Sequence, residues 1–89
     1  MTPCVKCGRK LRPAFPRDDE SNQPAGAVMC YSAGNYGSAL FDPGNDCEMI
    51  NFSLCDECAE AGLAAGTIRY RVLVMHGRDV WETRPYPPS

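Results

Sequence analysis

The sequence has no apolar run approaching the length of a bilayer span, which excludes a transmembrane helix, and no membrane partner is expected. The opening stretch, MTPCVKCGRKLRP, lacks the apolar segment of a secretory signal, so the expected location is the cytosol. Histidine occurs once, as His76 beside Gly77, where a solvated turn residue is expected. Residues 1–17 contain no acid, and residues 18–60 contain no lysine or arginine. The first stretch carries Lys6, Arg9, Lys10, Arg12 and Arg17, whereas the second carries nine acids. That middle section repels phosphate backbones, and the formal net charge is −2.

What the sequence has in excess for its size is cysteine, six in 89 residues. A chain this short forms one domain with a thin core and commonly needs a staple. Four of the cysteines form two CxxC pairs, Cys4/Cys7 and Cys55/Cys58. Paired spacing without an export signal points to a metal rather than to disulfides. Four thiolates in a tetrahedron are the ligand set of a structural zinc ion, so Zn2+ is the expected cofactor, held by Cys4, Cys7, Cys55 and Cys58. Iron is the alternative metal for four thiolates; its knuckles usually carry a following glycine, and Cys58 is followed by Ala59. Gly8 follows the first pair and permits a tight turn. Cys30 and Cys47 lie on expected strands and read as buried thiols, with a ligand role or a mutual bond as the other readings.

The spacing of apolar residues predicts strands over 27–33, 36–41 and 47–54, the first two joined by a turn at Gly34-Asn35. Asp42-Pro43-Gly44-Asn45 reads as a second turn. Ile50, Phe52 and Leu54 are assigned to the core. Residues 13–26 read as an extended connector with Phe15 as its anchor. A short helix is expected from Asp56 to a stop at Gly66, burying Ala59, Leu63 and Ala64. Residues 67–75 and 80–83 form a closing hairpin, with Ile68, Tyr70, Val72 and Val74 inward and Trp81 in the core. Residues 1–84 are expected to be one zinc-binding domain, with 85–89 a disordered tail. The fold class is therefore small α+β: a zinc-stapled antiparallel sheet, one short helix and a C-terminal β-hairpin.

The order of a cysteine knuckle, antiparallel strands and a helix starting at the second pair resembles the treble-clef zinc finger over residues 4–7 and about 27–65. Catalytic nuclease versions of that motif need several histidines on it; none lies there, so no enzyme is expected. The whole chain, through Cys4-Val5-Lys6-Cys7-Gly8, Asn22-Gln23-Pro24, Gly34-Asn35-Tyr36-Gly37-Ser38, Phe41-Asp42-Pro43 and Cys55-Asp56-Glu57-Cys58, resembles small uncharacterised phage and bacterial CxxC proteins. That resemblance implies a cytoplasmic protein of microbial or phage origin, in the host cytoplasm in the phage case.

Other motifs are weaker. Asn51-Phe52-Ser53 matches a glycosylation acceptor by chance in a cytosolic strand. Asp42, Asn45, Asp46 and Glu48 do not match the spacing of a calcium loop. The chain is too short and wrongly ordered for a thioredoxin-like role of Cys55 and Cys58. Arg69, Arg71, Arg78 and Arg84, with Tyr70 and Trp81, could face nucleic acid or simply water. The expected partner is another protein, with nucleic acid the alternative through basic residues near both termini. Unpaired strand edges leave room for a homodimer.

Overall fold

A computed structural model describes residues 1–17, 22–41, 48–75 and 77–88 of the chain. Among these residues the fold is small α+β, with two antiparallel two-stranded sheets and one helix. The strands are β1 (Ala27–Ser32), β2 (Ile50–Cys55), β3 (Tyr70–Met75) and β4 (Val80–Arg84), and the helix is α1 (Asp56–Ala65). The residues fall into two compact units, Met1–Asp56 and Glu57–Ser89, so the division lies within the first turn of α1.

In the first unit, β1 pairs antiparallel with β2, from Ala27 opposite Cys55 to Ser32 opposite Ile50. This register puts Val28, Cys30, Ile50, Phe52 and Leu54 on one face, as the period-two alternation of both segments requires. The strand expected over 36–41 is absent. Ser38 captures its backbone donors instead: the Ser38 hydroxyl accepts from the N–H groups of Leu40 and Phe41 at 3.2 and 2.9 Å. Asn35 N–H then donates to the Phe41 carbonyl at 3.0 Å, closing a loop where a hairpin was expected. The expected turn at Asp42–Asn45, Cys47 and His76 lie outside the described residues.

The core also differs from expectation. Among the described residues the buried ones are Cys4, Pro24, Ser53 and Cys55, while Phe52 and Leu54 are half-buried and Ile50 is exposed. The reason is a second backbone partner for β2, besides β1. The N-terminal segment runs parallel to it, bridging at Cys4 and Ser53, and Val5 N–H donates to the Ser53 carbonyl at 2.8 Å. Phe15 is 53% exposed rather than an anchor, and Pro24 takes the buried place in that stretch. Pro13 and Pro24 bridge antiparallel, with Ala14 N–H donating to Gln23 and Ala25 N–H to Arg12. The Asn22 side chain closes this small ribbon, accepting from Phe15 N–H and donating to the carbonyls of Phe15 and Arg17.

In the second unit, α1 ends where expected. Gly66 adopts φ +80°, a conformation that costs an L side chain roughly 1 kcal/mol or more. Thr67 N–H donates to the Gly62 carbonyl at 3.0 Å and Gly66 N–H to Leu63 at 3.4 Å, the paired bonds of a Schellman cap. The half-buried stripe is Cys58, Ala59, Gly62 and Leu63; Ala64 is exposed, one position round the helix from the expected stripe. Strands β3 and β4 pair antiparallel from Tyr70 opposite Arg84 to Leu73 opposite Trp81. The register then shifts, so that Met75 meets Val80. The irregularity breaks the alternation, so Leu73 is half-buried and Val74 exposed, the reverse of the expected pattern there. Trp81 is 49% exposed and is not a core residue, because all of β4 lies at the surface. The Tyr86 ring meets Tyr70 edge-on, with centroids 5.6 Å apart.

Candidate metal centre

The first cysteine pair sits in a turn made by its own backbone. Gly8 N–H donates to the Cys4 carbonyl at 2.9 Å, and Cys4 N–H to the Arg9 carbonyl at 3.0 Å. Gly8 completes that turn at φ +77°, where a side chain would be strained. The second pair begins at the last residue of β2 and continues into α1, whose first residue, Asp56, donates its N–H to the Gly26 carbonyl at 2.9 Å. Cys58 stands three residues beyond Cys55, and one turn of helix brings its sulfur back beside that of Cys55.

The sulfurs of Cys4, Cys7, Cys55 and Cys58 all lie within 4.8 Å of one another. Four thiolates at about 2.3 Å from one ion stand about 3.8 Å apart in a tetrahedron. The Cys7 and Cys55 sulfurs are 3.9 Å apart, which fits that geometry. The donor set fits a thiophilic ion such as zinc or iron. None of the five described cysteines is in a disulfide, and Cys30, half-buried opposite Phe52, is not part of the cluster.

Backbone amides prepare the site for anionic sulfur. Cys55 N–H donates to the Cys4 sulfur at 3.3 Å. That bond, followed by those from the amides of Cys7 and Lys6, pulls the Cys4 thiol down from 9.0 to about 6 against the opposing effect of desolvation. Cys4 and Cys55 are 2% and 0% exposed, while Cys7 lies at the surface. Lys6, Arg9 and Lys10 are exposed alongside the turn in sequence and offset part of the negative charge of a four-thiolate shell.

The sequence identified all four sulfurs but not their setting. Ser53 is 3% exposed, and its hydroxyl shares a 3.2 Å hydrogen bond with that of Thr2. Ser53 lies between Phe52 and Leu54, on the strand face opposite the one assigned to the core; the one available hint was its position two residues before Cys55, on the same strand face as that cysteine. Among the described residues, no helix is long and apolar enough to cross a membrane. No protein-family model, curated protein or solved structure matches the chain.

Proposed function

We propose that this chain is a zinc protein whose Cys4 centre is structural, set in a treble-clef-like arrangement, and that it acts as a protein-interaction module. The observation that carries the reading is the convergence of four sulfurs within 4.8 Å from segments some fifty residues apart in sequence. A closed shell of four thiolates leaves no open position for a substrate, which favours structure over catalysis. Support for the treble clef is the order of parts: cysteine turn, antiparallel β1–β2, and α1 starting directly after Cys55. Support for interaction is the set of large apolar side chains left exposed, Tyr31, Tyr36 and Leu40 foremost. In the microbial or phage setting that the sequence resemblance implies, a host protein is the natural partner.

The test has two arms. Elemental analysis of purified protein should find one zinc per chain, and chelation under reducing conditions should collapse amide dispersion in the first unit. Absence of metal, or an unchanged spectrum after chelation, refutes the structural centre. For the second arm, a partner captured by the wild type should be lost with Tyr31→Ser/Leu40→Ser; capture of no specific partner refutes the interaction role.

One observation favours nucleic acid as the second reading. Trp81 is half exposed on a strand beside Arg71, whose guanidinium donates to the Trp81 carbonyl at 3.3 Å. Mobility shifts that weaken steeply with salt would select it.

A further inference from the structure

We propose that the sulfur centre is an interchangeable staple: a hydroperoxide joins Cys7 to Cys55 in a disulfide that displaces the ion yet holds the same two segments together. The claim rests on the metal reading above for its reduced state, and its test separates the two.

The four sulfurs differ in access. Cys7 is exposed, Cys58 is half-buried, and Cys4 and Cys55 are 2% and 0% exposed. Oxidation of cysteine by peroxide follows access, so Cys7 reacts first. The Cys55 sulfur stands 3.9 Å from that of Cys7. A disulfide needs about 2.05 Å between sulfurs, so each moves inward by roughly 1 Å. Shielded from solvent, Cys55 meets the oxidised Cys7 rather than the oxidant itself.

The step balances without a redox change at zinc, which has none to offer. The Cys7 thiolate attacks one peroxide oxygen, the O–O bond breaks, hydroxide leaves, and Cys7 becomes a sulfenic acid. The Cys55 thiolate then attacks the Cys7 sulfur; the S–S bond forms, the S–O bond breaks, and a second hydroxide leaves. Two protons from solvent turn both hydroxides into water. Each of the two sulfurs has given one electron to the peroxide oxygens. With two of the four thiolates gone from its shell, the ion is released to water.

A bond inside either CxxC pair would let the N-terminal segment part from β2 once the ion left. The Cys7–Cys55 link instead spans the junction that the ion spanned. That junction also carries Val5 N–H on the Ser53 carbonyl at 2.8 Å and Cys55 N–H on the Cys4 sulfur at 3.3 Å. The buried residues Cys4, Ser53 and Cys55 all lie at it. The first unit therefore keeps its centre in the oxidised, metal-free chain and loses it in the reduced, metal-free chain.

The test treats the full chain, zinc-loaded and purified under reducing conditions, with hydrogen peroxide. A chromogenic chelator reads released zinc, and mass spectrometry reads the cross-link. Cleavage after Lys6 and after Glu57 separates Cys4 from Cys7 and Cys55 from Cys58, so the pairings are distinguishable. Cys30→Ser/Cys47→Ser, run beside wild type, leaves the four clustered cysteines alone to pair. Oxidation should release one ion per chain, remove two hydrogens and give Cys7–Cys55 as the main link in both proteins. The oxidised chain should keep the amide dispersion of the first unit, and a thiol reductant with added zinc should restore the loaded form. A loaded chain that keeps its ion in excess peroxide, another pair as the main link, or collapsed dispersion after oxidation overturns the exchange and leaves the metal centre standing. Absence of zinc from the reduced, purified chain overturns the reading on which the exchange rests.

Discussion

Replacing Cys55 by serine removes the sulfur at the best-shielded point among the described residues, a residue with 0% exposure that ends β2 and leads into α1. A structural zinc site contributes on the order of 10–16 kcal/mol of apparent folding free energy. Shared evenly among four thiolates, one ligand accounts for about 2.5–4 kcal/mol of it. A buried serine hydroxyl without a partner adds about 1–3 kcal/mol of penalty. The sum, roughly 3.5–7 kcal/mol, is comparable to the whole stability of a small domain, about 5–15 kcal/mol. Little else in the first unit can compensate, because its buried described residues are Cys4, Pro24, Ser53 and Cys55 itself. Cys55→Ser should therefore lose its metal in native mass spectrometry and its cooperative melt in calorimetry. The matched control is Cys30→Ser, half-buried opposite Phe52 and outside the sulfur cluster, which should keep the metal and shift stability by about 1 kcal/mol. A Cys55→Ser protein with full metal content and a melting temperature close to wild type would refute the reasoning.

Three more outcomes follow from the same geometry. Gly8 and Gly66 have φ of +77° and +80° with open space where a Cβ would stand, so Gly8→Ala and Gly66→Ala should each cost about 1 kcal/mol in thermal melts, and Gly8→Ala alone should also weaken metal retention. The folded chain holds the Cys4 thiol at about 6 rather than 9.0, so the stabilisation of its thiolate is present above the upper value and is lost as pH falls through the lower one. Metal transfer to a chromogenic chelator should accordingly grow as pH falls, and transfer that grew with rising pH would contradict the sign. Trp81, half exposed, should emit at long wavelength and be quenched readily by acrylamide, whereas a blue-shifted, protected emission would return it to a core.

The parts of the fold legible in the sequence are those governed by local chemistry. The two CxxC pairs announced the sulfur cluster, Asp56 and Gly66 bounded α1, and alternation as far as Val72 marked β3. What escaped depends on distant partners or on competition between side chain and backbone. The segment 36–41 has the composition of a strand, yet the Ser38 hydroxyl takes the N–H groups that a ladder would use. The burial of Ser53 follows from the N-terminal segment pairing along β2, a contact between residues 4 and 53 that no spacing rule encodes. Phe15 and Trp81 were assigned inward on hydrophobicity alone, and the Cys4–Cys55 region supplies the buried centre that large apolar residues would otherwise have formed. In a chain this small, the sulfur cluster displaces the apolar core, and rules that place aromatics inside lose their force.

X-ray absorption at the metal edge of the purified protein tests the central claim most directly. The account predicts zinc with four sulfur neighbours at about 2.3 Å. A first shell containing nitrogen or oxygen, fewer than four sulfurs, or no bound metal at all would contradict it.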